Sequence, residues 1–317
     1  MQGILASTSN EALEDQGIIY CKKSGQSLKC FEEIELPCQL QDLPTPLYQG
    51  DNSDSLLKVS SIAARKTPLV SIWTDFDGTI TRTDFGHIII KNYGMDWNEF
   101  LTIEERVRSG HLSLREGLIK DYDLVRMTEQ QLFDLAREYV EVDSHFAEFL
   151  SFARAQDMPV TILSDGFKQY IEFILKENGI AVDGNDIKAN EVTFHEANVL
   201  KLSFPHVFSC SNCANCKRSH LEEFRERNRG CLLVYIGDGI SDIYGSRAAD
   251  HVFARKGSFL EKYFKNRGFA YHNFEDFRDV LQGMKVLLEK EREQPGFFEQ
   301  MIDNRQKIPF PCEFEVF

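Results

Sequence analysis

Apolar residues change their spacing several times along this chain, and the changes mark its parts. Over residues 1–66 the periodicity is weak. Three cysteines (Cys21, Cys30, Cys38) are scattered there, and the stretch PTPLYQGDNSDS is rich in turn formers, so the segment reads as an N-terminal extension. From Pro68 an apolar run, LVSIWT, breaks into DFDGT, a buried strand followed by a loop. The pattern then turns helical. Trp97, Phe100 and Leu101 recur at helical spacing, as do Leu132, Leu135, Ala136 and Tyr139. Phe146, Phe149, Leu150 and Ala153 repeat it, with Ser144 as the expected N-cap. Three or four helices with no strand between them are predicted over 96–155.

From Met158 strands and helices alternate. MPVTILSD predicts a strand, 166–178 a helix closed by Gly179, and EVTFHEANVLKLSF a hairpin or meander. A helix is predicted over 217–228, a buried strand in CLLVYIGD, and a helix over 241–249. HVFAR is another short strand, and 258–266 another helix. Such alternation implies a parallel sheet with helices on both faces. The expected fold is therefore α/β, a doubly wound (Rossmann-like) parallel sheet. Its core takes residues 67–92 and 156–290. A small helical cap, 93–155, is inserted after the first core strand, and 291–317 form a C-terminal tail. That tail is Phe-rich and ends in FEVF. Packing on the core is expected of it, and a homodimer contact is the alternative.

Composition narrows the class. The chain has 317 residues, 42% of them hydrophobic, enough to bury a sizeable core. The net charge of −14 and the lack of a basic stripe argue against a nucleic-acid partner. No window approaches the roughly 20 apolar residues of a membrane span. The start, MQGILASTSNEALEDQ, has neither the basic opening nor the apolar run of a signal peptide. A cytoplasmic protein is expected, with its eight cysteines reduced or bound to metal.

Four short motifs carry the candidate chemistry. In Asp75-Phe76-Asp77-Gly78-Thr79 two carboxylates sit at i and i+2 where an apolar strand runs out. Such a pair suits a hard cation, or a nucleophile working beside a proton donor. Alone it is weak evidence, because three specified residues recur by chance in about one chain in fifteen of this length. Ser164-Asp165-Gly166 follows the strand PVTIL, and its hydroxyl and amides suit an anion, although an ordinary N-cap would look the same. Lys217 opens a helix and offers a fixed cation. Gly237-Asp238-Gly239-Ile240-Ser241-Asp242 follows CLLVYI. Helix capping would account for one of its two acids, but not for both.

In this order and spacing the set resembles the haloacid dehalogenase superfamily of phosphotransferases, over residues 68–285. The helical insert is similar to the small cap of its phosphoserine phosphatase branch. The stretches DGTITRTD, IKANEVTFHEANVLKLSFPH, CSNCANCKRS and ADHVFARKGSFLEKY further resemble the 2-hydroxy-3-keto-5-methylthiopentenyl-1-phosphate phosphatases. The extension over 1–66 and the long tail depart from that pattern. The resemblance implies a Mg²⁺-dependent phosphatase acting on a small phosphorylated metabolite. It makes Asp75 the nucleophile and Asp77 the acid/base. Asp75, the Asp77 carbonyl and Asp238 would bind Mg²⁺ with support from Asp242. Ser164, Gly166 and Lys217 would bind phosphate, and Thr79 would position the loop. Asp84 would face the substrate, unless it is a solvated loop residue. Transfer to an acceptor other than water, or a silent scaffold that binds a phospho-ligand, are the alternatives.

Cys210, Cys213 and Cys216 have metal-like spacing, with Cys231, His206 or His220 as candidate fourth ligands. A set of small loop residues, which the family resemblance already predicts, is the plainer reading. His87 and His111 are candidate substrate contacts, with a structural role the plainer reading.

Overall fold

The computed structural model describes residues 68–94, 96–305 and 312. The 1–66 extension and the FEVF end lie outside the described residues. The first strand is β1 (Val70–Thr74), and five helices follow it: α1 (Phe85–Tyr93), α2 (Trp97–Arg108), α3 (Leu114–Asp123), α4 (Glu129–Tyr139) and α5 (Phe146–Ala155). Then come β2 (Val160–Phe167), α6 (Lys168–Glu177), β3 (Ile187–Phe194), β4 (Leu200–Ser203) and α7 (Lys217–Arg227). The chain continues through β5 (Leu232–Gly237), α8 (Ile243–Ala248), β6 (His251–Arg255), α9 (Phe259–Arg267) and β7 (His272–Phe274). It closes with α10 (Phe277–Glu293) and α11 (Phe297–Asp303).

The seven strands form one sheet in the order β4-β3-β2-β1-β5-β6-β7. Every pairing is parallel except β3–β4, the predicted hairpin. All residues of β1 and β5 are buried, which is why both read as unbroken apolar runs. The strand order reverses at β1, which lies between β2 and β5. In open α/β sheets ligands bind at the carboxyl ends of the strands beside such a reversal. DFDGT, SDG and GDGISD follow or end β1, β2 and β5, so the topology alone brings them together.

The insert is built by strong local signals. Asp96 caps α2 by accepting from the amides of Asn98 and Glu99. Capping boxes start α3 (Ser113, Glu116) and α4 (Thr128, Gln131). The expected Ser144 cap does not form. Helix α5 starts at Phe146, and Asp143 serves its entry by accepting from the His145 amide at 2.9 Å. Helix α5 packs on α10, with the Phe277 ring 5.0 Å from Phe146 and 5.2 Å from Phe149. Phe298 of α11 is buried in the same core. Helix α1 escaped the sequence reading because Ile88, Ile89 and Ile90 are consecutive and hide the helical period.

Candidate active site

The loop after β1 is fixed by three features. The Asp75 amide continues the ladder to β5, donating to the Ile236 carbonyl at 2.9 Å. Gly78 has φ +75°, and a Cβ there would lie 2.4 Å from the Asp238 carboxylate, so only glycine fits. Thr79 Oγ1 donates to Asp238 Oδ1 at 2.7 Å, which joins the first and last motifs. Arg255, at the end of β6, then grips the loop. Its Nε donates to the Gly78 carbonyl and its Nη2 to the Thr79 carbonyl, each at 2.6 Å.

Lys217, on the first turn of α7, is 2% exposed and sits between two acids. Its Nζ lies 3.0 Å from Asp75 Oδ1 and 2.6 Å from Asp242 Oδ1, and it also donates to Ser241 Oγ at 3.1 Å. Burial alone would lower its pKa. Asp242, Asp75 and Asp165 reverse that and hold it above the usual lysine range. Asp75 Oδ1 also accepts from the Phe76 amide at 2.8 Å. Burial and then repulsion by Asp242 push the Asp75 carboxyl well above the usual range, against the pull of Lys217.

Asp242 is fully buried and accepts four hydrogen bonds. Lys217 and Tyr235 (2.7 Å) reach Oδ1, while the amides of Asp238 (2.9 Å) and Gly239 (2.8 Å) reach Oδ2. These donors outweigh burial and hold its pKa low. Asp75, Asp238 and Asp242 each offer an oxygen within 4.8 Å of the others. Asp242 has both oxygens engaged. Burial and Asp242 raise Asp238 to about 7, and burial raises Asp165. Four carboxylates thus face one lysine ammonium, a surplus that a hard divalent cation with oxygen ligands fits.

Asp77 occupies a different environment. Burial lifts it to about 7, although the Tyr170 hydroxyl donates to Oδ2 and opposes the shift. Its Oδ1 is buried and has no partner among the described residues. Ser164 is buried in the second half of β2, where its Oγ accepts from the Gly166 amide at 2.9 Å. It is not the cap of α6, which starts at Lys168. A Cβ at Gly166 would meet the Tyr170 hydroxyl at 1.9 Å and Asp77 Oδ2 at 2.9 Å. Asn215 fastens this loop, donating from Nδ2 to the Ser164 and Lys188 carbonyls at 2.9 Å each.

A cavity of about 420 Å³ separates these residues from the insert. Asp75, Asp77, Ser164, Gly166 and Asp238 line it on the sheet side, Glu104 and Asp121 line it from the insert, and Asp84 and His87 line it from the start of α1. Asp84 caps α1 and pairs with His87 Nδ1 at 2.8 Å. Burial opposes the shift, but His87 holds Asp84 below its usual range, and Asp84 in turn raises His87. Burial and Glu104 lift Asp121 to about 8. His111 does not line the cavity; its Nδ1 pairs with Ser109 Oγ at 2.7 Å in a turn.

Tyr170, Asn215 and Arg255 escaped the sequence reading, and Asp165 was named in its motif without a role of its own. Arg255 lies in the quoted FARKG, but its partners are 176 and 177 residues away. The fourth cysteine was also misjudged. The group beside Cys210, Cys213 and Cys216 is Cys312, not Cys231, His206 or His220. Cys231 sits just before β5 with its thiol toward the Leu232 carbonyl, and His220 Nε2 pairs with Asn215 Oδ1 at 2.7 Å.

Solved structures share this architecture. One, a phosphoserine phosphatase holding a phospho-aspartyl intermediate analogue, matches 68% of this chain and 98% of its own at 18% identity, with a TM-score of 0.53. Phosphoserine phosphatase from T. onnurineus covers 70% and 96% at 19% identity, with a TM-score of 0.52. The shared fold is that of the haloacid dehalogenase-type phosphatases, in their phosphoserine phosphatase-like branch. Over residues 70–281 the chain matches the Putative Phosphatase family, and it belongs to that family of phosphoric monoester hydrolases. Its relatives include Pdp3-interacting factor 1 of Schizosaccharomyces pombe, 26% identical over 68% of this chain and 95% of that protein. Polyol phosphate phosphatase PYP1 of Saccharomyces cerevisiae is 25% identical over 70% and 95%. A 2-hydroxy-3-keto-5-methylthiopentenyl-1-phosphate phosphatase of Bacillus pumilus is 29% identical over 68% and 90%. Among the described residues no helix is long and apolar enough to cross a membrane.

Proposed function

We propose that this phosphatase hydrolyses a small phosphate monoester through a phosphorylated Asp75. The observation that carries the reading is the contrast between two acids of one loop. Asp75 is clamped by Lys217 through a single oxygen, whereas Asp77 is half-buried and desolvation pushes its carboxyl up to about 7. Asp75 attacks phosphorus in line with the leaving oxygen. Asp77, protonated, gives its proton to the leaving alkoxide. As a carboxylate it then takes a proton from the water that attacks the aspartyl phosphate. Lys217, the Ser164 hydroxyl and the Gly166 amide bind phosphoryl oxygens, and Thr79 holds the loop to Asp238.

Asp75, the Asp77 carbonyl and Asp238 would hold Mg²⁺, with Asp242 supporting through the loop amides and Lys217. The bound ion supplies charge neutralisation and polarisation of a phosphoryl oxygen. Asp75 must be ionised to attack, and a bound cation would offset the burial and the repulsion from Asp242 and Asp238 that oppose this. The helices of 93–155 act as a cap over the core built from 67–92 and 156–290, and they keep bulk water and large substrates out. A cytoplasmic setting suits the five cysteines among the described residues, which are free thiols.

Asp84 at the start of α1, with Glu104 and Asp121 on the insert, favour a leaving group that carries hydroxyl or ammonium donors. The names of the yeast and Bacillus relatives, phosphatases of a polyol phosphate and of a 2-hydroxy phosphate, agree with hydroxyls. Phosphate release from a panel of phosphometabolites with Mg²⁺ tests the reading, with product analysis in added alcohols to detect transfer. Asp75→Asn should lower turnover at least about a thousandfold while the fold persists. A folded Asp75→Asn protein with near wild-type turnover would sink the mechanism.

A further inference from the structure

We propose that Cys210, Cys213, Cys216 and Cys312 form a tetrathiolate Zn²⁺ site that ties the C-terminal segment to the loop presenting Lys217. The four sulfurs all lie within 4.8 Å of one another. Cys216 and Cys312, 96 residues apart, bring their sulfurs to 3.8 Å. Tetrahedral zinc at about 2.3 Å from each thiolate places sulfurs about 3.8 Å apart. No disulfide joins these cysteines. Cys213, Cys216 and Cys312 are each less than a tenth exposed. Four sulfurs make a closed set of soft ligands, the composition of structural zinc sites rather than of catalytic ones, which keep a position open.

The surroundings suit thiolates. The Cys213 amide donates to Cys210 Sγ at 3.4 Å, and the Ser219 hydroxyl donates to Cys216 Sγ at 3.1 Å. Leu114, Phe208 and Tyr244 pack against the cluster and shield it. Zinc binding displaces four thiol protons and leaves a zinc–tetrathiolate of net charge −2, whose sulfurs those two donors face.

The segment also needs a staple. Residues 210–216, CSNCANC, contain little that could form a core, yet three parts of the site hang from them. The amides of Leu114 and Arg115 on α3 donate to Asn212, at 3.4 Å to its side chain and 3.0 Å to its carbonyl. Asn215 holds the Ser164 loop. Lys217 follows Cys216 directly. A metal that fixes residues 210, 213 and 216 therefore fixes the insert, the phosphate loop and the lysine relative to one another.

The test is elemental analysis of the full chain, purified without chelator and with reductant present. Its readout is independent of the catalytic reading, because metal content is measured without substrate. About one zinc per chain is expected. In Cys312→Ser and in Cys213→Ser the zinc content should fall at least fivefold. Cobalt-loaded wild type should show the strong visible absorption of a tetrahedral thiolate site. If Cys213→Ser fails to fold, Cys312→Ser and the wild-type metal content still decide. Wild type that holds no zinc while all four thiols titrate freely would overturn the proposal. So would iron with acid-labile sulfide, or zinc retained in both variants.

Discussion

Asp242→Asn isolates the anion at the centre of the site. The replacement keeps the shape and removes one acceptor and the charge. Asp242 accepts from Lys217 and Tyr235 on one oxygen and from two backbone amides on the other. Whichever way the new amide turns, its NH₂ faces two donors. Two bonds to a buried charge are lost, at about 1.5–3 kcal/mol each. Breaking a buried pair from one side costs about 3–5 kcal/mol. Lys217 keeps Asp75 as a partner, which places the expected loss near the lower end, about 3 kcal/mol. Urea unfolding at pH 7, with an unchanged m-value, measures it. The pH dependence gives a second reading. The Asp242 pKa is depressed in the folded protein, so its contribution is complete above the unfolded value of about 3.9 and is lost as pH falls through the lower folded value. The gap between wild type and variant should therefore narrow on acidification below about pH 4. A loss under about 1 kcal/mol at pH 7 would refute the four-bond account.

Other substitutions separate the remaining roles. Tyr170→Phe removes the hydrogen bond that holds Asp77 down, so Asp77 should rise above about 7. In the proposed mechanism its acid form protonates the leaving group, so the alkaline limb of kcat/KM should move up by roughly one to two pH units; an unmoved limb would remove Asp77 from that step. Arg255→Ala frees the Gly78 and Thr79 carbonyls and should cost about 10- to 100-fold in kcat/KM. Arg255→Lys should restore little, because an ammonium has no fork to hold two carbonyls. Wild-type kinetics in the alanine variant would show that the loop holds itself. Asp238→Asn should raise the Mg²⁺ needed for half-maximal activity at least about tenfold, and an unchanged titration would exclude it as a ligand.

Much of the sheet was legible because its central strands are buried on both faces. CLLVYI is an unbroken apolar run and HVFAR an apolar centre between His251 and Arg255, and they became β5 and β6 nearly to the residue. The chemical motifs were legible because each follows or ends such a run. The missed features depend on distance along the chain. Tyr170 meets Asp77 across 93 residues, and Cys312 meets Cys216 across 96, with no local pattern to mark either partner. Local errors had local causes. Asp143 displaced Ser144 because the helix starts at Phe146, after His145. The three-residue β7 is too short to show a period.

Asp75 and Asp242 illustrate what residue type cannot convey. Both are buried aspartates on the same lysine, yet their pKa values move in opposite directions. The difference lies in the donors. Asp242 receives four, two of them backbone amides that no side-chain motion can withdraw. Asp75 receives two, both on Oδ1. One lysine cannot satisfy two carboxylates, so its charge settles where the hydrogen bonds are denser. Asp242 is thereby fixed as the anion that positions Lys217. Asp75 is left under-neutralised with Oδ2 unpartnered among the described residues, the condition a carboxylate needs to combine with a cation and an incoming phosphorus rather than with its own protein.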